Sequence, residues 1–117
     1  MRVLIVDDAM FMRKTVRKML EDNGFEVAGE ACNGLEAVKM YQELKPDLVT
    51  MDITMPEVDG IASLKMIRKL DPQARVVMMS AMGQASLVTE AIVNGARTFI
   101  VKPFQEQHVV DTLRSIQ

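Results

Sequence analysis

The sequence has one cysteine, no tryptophan and no excess of basic residues. A single cysteine, Cys32, excludes an intramolecular disulfide and a multi-cysteine metal site. The formal net charge of -2 provides no basic field for nucleic acid or a membrane surface. No apolar run approaches the ~20 residues that cross a bilayer, and the N-terminal run is too short for a signal peptide. We therefore expect a cytoplasmic protein that binds neither nucleic acid nor membrane.

Strand-like and helix-like patterns alternate along the chain. Short apolar runs begin near residues 3, 25, 48, 76 and 99, at intervals of 22 to 28 residues. Between them, apolar residues recur at helical spacing, as in Met12, Val16 and Leu20. Strands that alternate with helices pair in parallel through right-handed crossovers. The 117 residues are therefore predicted to form one α/β domain, residues 1–117, with a five-stranded parallel sheet in a three-layer sandwich.

Four of the five predicted strands are apolar on both faces, as strands buried within a parallel sheet are. The second strand is the exception and is expected to lie at an edge. In such sheets, ligands bind beyond the carboxyl ends of the strands. Polar or otherwise reactive groups follow four of the strands, and they should converge at one edge. The residues at these strand ends are Asp7, Asp8, Asp52, Thr54, Ser80, Ala81 and Lys102, of which Ala81 can contribute only its backbone.

Three clustered carboxylates repel one another and raise each other's pKa values. Mg²⁺ suits such oxygen ligands, and Lys102 would add a second positive charge. A carboxylate held in this way, Asp52, can act as a nucleophile toward a phosphoryl group. The charge on the phosphoryl oxygens would be met by Mg²⁺, by Lys102, and by the Ser80 hydroxyl with the Ala81 N–H.

Four sequence pieces lie at these predicted strand ends: "VLIVDD", "VTMDITMPEVDG", "SAMG" and "FIVKPF". Together they resemble the receiver domain of two-component response regulators, over the whole chain. The similarity is greatest to single-domain chemotaxis regulators that carry Asp-Ile-Thr-Met-Pro after the third strand. The resemblance implies a (βα)5 flavodoxin-like fold with the strand order 2-1-3-4-5.

The resemblance also implies roles for the residues at the predicted site. Asp52 would be the phosphorylation site. Asp8 and Asp52 would bind Mg²⁺ directly, Asp7 largely through water, and Thr54 through its backbone carbonyl. The chemotaxis relatives known best carry asparagine at the position of Thr54, so the lifetime of the phosphoryl group could differ here.

The remaining implied roles concern the response to phosphorylation. Ser80 would be the switch hydroxyl and Phe99 the switch aromatic residue. Lys102 would contact the phosphoryl group, and the Lys102–Pro103 peptide bond would be cis, which proline permits.

The resemblance predicts a phosphorylation-activated signalling switch that takes a phosphoryl group from a histidine kinase. It would catalyse only its own phosphorylation and dephosphorylation and would otherwise not be an enzyme. The implied partners are the kinase, the flagellar motor switch protein and a phosphatase, and we expect a monomer. As an alternative, the chain is the receiver domain of a larger methylesterase or DNA-binding regulator.

Other functions fit the residues less well. A haloacid dehalogenase-type hydrolase needs an acid two residues after its nucleophile, where this chain has Thr54. A P-loop needs Lys-Ser/Thr where Leu35 and Glu36 stand. The basic cluster from Arg13 to Lys18 remains open between a solvated helix face and a docking face for a kinase phosphotransfer domain.

Overall fold

The computed structural model describes residues 1–116 and contains five strands and five helices in alternation. Gln117, the last residue of the predicted domain, lies outside the described residues. The elements are β1 (Arg2–Val6), α1 (Met10–Asp22), β2 (Glu26–Ala31), α2 (Gly34–Leu44), β3 (Leu48–Asp52), α3 (Gly60–Leu70), β4 (Val76–Ala81), α4 (Ala85–Val93), β5 (Thr98–Lys102) and α5 (Glu106–Ser115).

The five strands form one parallel sheet in the order β2-β1-β3-β4-β5. This confirms both the strand order and the three-layer α/β sandwich. The half-polar β2 lies at an edge, as predicted. Among the described residues, no helix is both long and apolar enough to cross a membrane.

Alternation along the inner strands divides the core into two layers. Val3 and Ile5 of β1 pack in the layer with α1 and α5, whereas Leu4 and Val6 pack in the layer with α2, α3 and α4. Successive side chains of a strand point to opposite faces, so an inner strand must be apolar throughout. The prediction of two buried faces is confirmed for β1, β3 and β4.

The prediction that both faces of the strand are buried is wrong for β5. Only Ile100 of this strand is buried, while Phe99 is 42% and Val101 38% exposed. The reason is that β5 is the other edge strand. Its Ile100 face packs on the layer with α1 and α5, and its opposite face borders an open cavity of about 640 Å³ beside α4.

Local signals in the sequence set several helix ends. The Asn33 side chain accepts a hydrogen bond from the Glu36 N–H at the start of α2, and Asp59 does the same for the Ala62 N–H in α3. Such caps satisfy N–H groups that have no partner within the helix. Helix α1 ends at Asp22 with Asn23 as its C-cap residue, and Gly24 follows with φ +85°, where glycine avoids a steric cost.

The strands extend slightly further than the sequence suggests. Asp52, Lys102 and the pair Ser80–Ala81 are the last residues of their strands, whereas we had placed them just after. Pairing with the neighbouring strand holds these residues in the sheet, as in the Ala81–Lys102 register. These four candidate residues are thus attached to hydrogen-bonded strand ends, whereas Asp7 and Asp8 follow the end of β1.

Candidate functional site

The carboxyl ends of β1, β3, β4 and β5 meet at one edge of the sheet, and the candidate site lies there. Asp7 and Asp8 follow β1, and Asp52 ends β3. One carboxylate oxygen from each of these three residues lies within 4.8 Å of the others. Asp7 and Asp52 are only 4% and 8% exposed. Oxygen ligands at this spacing fit a hard divalent cation such as Mg²⁺, so the group could hold a metal.

Lys102 reaches two of the acids from the end of β5. Its Nζ lies 3.1 Å from Asp7 Oδ2, at hydrogen-bond distance, and 3.5 Å from Asp52 Oδ1. The Lys102 side chain is 22% exposed, so solvent screens these contacts only in part. One amine thereby offsets the repulsion between two buried carboxylates.

Asp7 is held more firmly than its place at a strand end requires. Besides the Lys102 contact at Oδ2, its Oδ1 accepts a hydrogen bond of 2.9 Å from the Ala9 N–H. Its backbone carbonyl accepts one of 2.8 Å from Arg13 Nη1. Because both carboxylate oxygens already have protein donors, Asp7 is less free than Asp8 to bind an ion directly.

The carboxyl group of Asp52 is balanced between opposing influences. Burial raises its pKa above the usual value, and the nearby Asp7 charge adds to this. The Lys102 charge and a hydrogen bond from the Thr54 N–H act in the opposite direction without cancelling the increase. A bound cation would favour the ionised form, which is the nucleophilic one.

The start of α3 fixes the backbone that carries Asp52. The Gly60 N–H donates a 2.8 Å hydrogen bond to the Ile53 carbonyl. A Cβ on Gly60 would lie 2.0 Å from the Asp52 carbonyl oxygen, closer than any real contact. Glycine is therefore required for α3 to begin against the end of β3.

Ser80 of β4 and Phe99 of β5 lie on the far side of β3 from Asp7 and Asp8. Ser80 is 1% exposed, and its Oγ has no hydrogen-bond partner within residues 1–116. The Phe99 ring is partly in solvent, and both residues line the cavity beside α4. A buried hydroxyl without a partner is costly, so Ser80 offers a free donor next to a space that a side chain can enter.

Sequence reasoning missed one residue of the site, Gln84. Its Oε1 accepts a 2.7 Å hydrogen bond from the Ala81 N–H, and its Nε2 donates one of 2.7 Å to Thr54 Oγ1. The carboxamide therefore joins the chain after β3 to the end of β4. A polar residue just before α4 was the only available signal, and glutamine is not a preferred N-cap residue.

Comparison with protein families matches the response regulator receiver domain over residues 3–114. The chain belongs to this family. The Lys102–Pro103 peptide bond is cis, which confirms a further feature that the resemblance implied.

The receiver domain is similar to several chemotaxis proteins. It is 58% identical to CheY of Thermotoga maritima over 98% of the chain and 96% of that protein. It is 59% identical to CheY of Bacillus subtilis over 96% and 93%. The CheX–CheY–BeF3–Mg complex from Borrelia burgdorferi superimposes with a TM-score of 0.94 at 42% identity, over 98% of this chain and 87% of that one. The chain is thus closely related to CheY, a phosphorylation-activated chemotaxis switch.

The basic cluster of α1 is largely paired within the receiver domain. Glu30 on β2 contacts Arg13 at 3.3 Å and Lys14 at 3.0 Å, and it also pairs with Arg17. Burial raises the pKa of Glu30, but hydrogen bonds from Arg17 and Lys14 outweigh this and hold it below its usual value. This pairing argues against a free basic docking surface, and the Arg13 side chain, only 14% exposed, shows that the predicted helix face is not fully solvated either.

Proposed function

We propose that Asp52 accepts a phosphoryl group from a histidine kinase in a Mg²⁺-dependent reaction. The observation that supports this most directly is the arrangement around Asp52. Its buried carboxylate lies 3.5 Å from the Lys102 amine and within 4.8 Å of carboxylate oxygens of Asp7 and Asp8. A nucleophile, a cation and ligands for a metal are thus present together.

In the transfer, an Asp52 oxygen attacks the phosphorus atom as the bond from phosphorus to the kinase histidine breaks. The electron pair of that bond returns to the imidazole, which leaves as a neutral ring after taking up a proton. Asp8 and Asp52 would hold Mg²⁺ directly, with the Thr54 carbonyl, and Asp7 would act largely through water. When bound, the ion neutralises charge on one phosphoryl oxygen.

The other phosphoryl oxygens have counterparts in the chain. Lys102, already beside Asp52, would contact one of them. The Ser80 hydroxyl and the Ala81 N–H would contact another, because both end the strand next to β3. Of these donors, Lys102 already lies 3.5 Å from Asp52, so its charge needs no reorganisation when charge develops on the phosphoryl group.

The output would arise from Ser80 and Phe99. A phosphoryl oxygen gives the unpartnered Ser80 hydroxyl an acceptor, and the hydroxyl moves toward it. The space released lets the half-exposed Phe99 ring turn into the cavity beside α4. This changes the surface of α4, β5 and α5 by shifting a two-state equilibrium.

Similarity to CheY supports a role in chemotaxis, with the flagellar motor switch protein as the output partner. A phosphatase is a further proposed partner, since the similar CheY from Borrelia burgdorferi was solved in complex with CheX. Catalysis by this chain would be confined to its own phosphorylation and dephosphorylation. The alternative of a receiver within a larger methylesterase or DNA-binding regulator stays a prediction.

The test is labelling with acetyl phosphate in Mg²⁺. We expect one phosphoryl group per chain on Asp52, none on Asp52→Asn, and undiminished labelling of Asp111→Asn, which removes an exposed carboxylate on α5. Equal labelling of the native chain and Asp52→Asn would refute the proposal. A pull-down with a motor switch peptide, with and without beryllofluoride, tests the chemotaxis output separately.

A further inference from the structure

The Gln84 side chain is hydrogen-bonded to the Ala81 N–H, a donor that the proposed reaction needs. The Ala81 N–H points to Gln84 Oε1 at 2.7 Å, yet the same N–H would bind a phosphoryl oxygen. A single N–H cannot make two good linear hydrogen bonds at once. The Gln84 side chain must therefore leave Ala81 before the phosphoryl group is fully bound.

The second hydrogen bond explains why Gln84 stays in this position. Its Nε2 donates to Thr54 Oγ1 at 2.7 Å, so the carboxamide is fixed at both ends. Gly83 has φ +88°, which turns the chain after β4 so that Gln84 faces back toward the sheet edge. Thr54 thus has a side-chain role besides its proposed backbone one.

Gln84 also immediately precedes α4. It is the N-cap residue of that helix, but its side chain makes no capping hydrogen bond. The side chain serves the site instead of its own helix. Release of Gln84 would thus free the start of α4 from the ends of β3 and β4.

We propose that Gln84 is a gate that holds the phosphoryl-acceptor site closed and tethers α4 until a phosphoryl oxygen displaces it from Ala81. The gate rests on the proposed function. Beyond that function, Gln84 would set how readily a phosphoryl group enters the site and would connect its binding to α4.

The test is Gln84→Ala, titrated with beryllofluoride in saturating Mg²⁺ and followed by NMR. The fluorines of beryllofluoride stand in for phosphoryl oxygens. Binding no longer has to break the hydrogen bond to Ala81, so we expect an apparent affinity about two- to tenfold higher than in the native chain. Unchanged or weaker binding would overturn the gate.

Two further variants make the result specific. Gln84→Glu can still accept from the Ala81 N–H but places a negative charge beside an anionic ligand, so its affinity should fall below that of the native chain. Gln42→Ala removes an exposed glutamine on α2 and should leave affinity unchanged. Tighter binding by Gln84→Glu would contradict the gate.

The ligand-free spectrum separates failure of the gate from failure of the proposed function. Gln84→Ala should shift the Ala81 amide proton upfield without any ligand, because that proton loses its hydrogen bond, whereas Gln42→Ala should not. An unmoved Ala81 signal would refute the gate. A native chain that binds no beryllofluoride would instead refute the proposed function.

Discussion

Replacing Gly60 by alanine would place a methyl group against the backbone that carries Asp52. The new Cβ would lie 2.0 Å from the Asp52 carbonyl oxygen, and 2.9 Å from both the Asp52 carbonyl carbon and Ile53 Cα. All three are backbone atoms of β3 or its extension, so none can rotate away. Helix α3 would have to move off the end of β3.

The expected cost follows from three contributions. Overpacking of this kind costs about 1–3 kcal/mol. Moving α3 also weakens the hydrogen bond from the Gly60 N–H to the Ile53 carbonyl, which contributes about 1 kcal/mol. The better helix propensity of alanine returns up to about 1 kcal/mol. We therefore expect Gly60→Ala to lower the free energy of unfolding by about 1–4 kcal/mol.

Urea denaturation of Gly60→Ala and of a matched variant, Gly29→Ala, measures this cost. A Cβ on Gly29 would meet Met40 Cε at 2.6 Å and Leu44 Cδ1 at 3.0 Å, the ends of flexible side chains, so we expect a loss below about 1 kcal/mol. Acetyl phosphate labelling should also slow in Gly60→Ala because Asp52 is displaced. The reasoning fails if Gly60→Ala is as stable as the native chain, or if Gly29→Ala is the more damaging change.

Three other predictions follow from the charges and hydrogen bonds. Lys102→Met leaves Asp7 and Asp52 without their shared amine, so the free energy of unfolding at pH 7 should fall by about 1–3 kcal/mol. Because the two carboxylates then lack a competing positive charge, Mg²⁺ should bind more tightly. Weaker Mg²⁺ binding, measured by calorimetry, would contradict this. Mg²⁺ at 100 times its Kd should raise the free energy of unfolding by about 2.7 kcal/mol, and much less in Asp52→Asn, as thermal unfolding can show. Tyr41→Phe removes a 2.7 Å hydrogen bond to Asp71 and should cost about 1 kcal/mol at pH 7. This bond lowers the pKa of Asp71, so the stability it adds is complete above the pKa of Asp71 in the unfolded chain, near 4, and is lost as the pH falls through the lower pKa of the folded state. Urea denaturation should therefore give Tyr41→Phe and the native chain the same stability in acid. A stability difference that does not change with pH would refute this role of the hydrogen bond.

The fold could be predicted because its signals are local and repeated. Strand and helix patterns alternate at nearly constant spacing, and parallel pairing follows from that alternation. The exposed face of β5 could not be predicted, because Phe99 and Val101 are as apolar as the residues of an inner strand. Only the position of β5 at the edge of the sheet, beside a gap next to α4, leaves that face open.

The site could be predicted to the extent that it depends on strand ends. Asp7, Asp8, Asp52 and Lys102 come together because parallel strands end at one edge. Gln84 lies outside this logic, because its contacts depend on the turn at Gly83 and on a long flexible side chain.

The surroundings of Asp52 differ in mechanical stiffness from one side to the other. Toward α3, backbone packs directly on backbone at Gly60, and no side-chain rotation can relieve that contact. Toward α4, the connection runs through the Gln84 carboxamide, whose rotation costs only two hydrogen bonds. A change at Asp52 should therefore displace the contacts toward α4 and leave those toward α3 in place. We thus expect phosphorylation of Asp52 to alter the position of α4 more than that of α3.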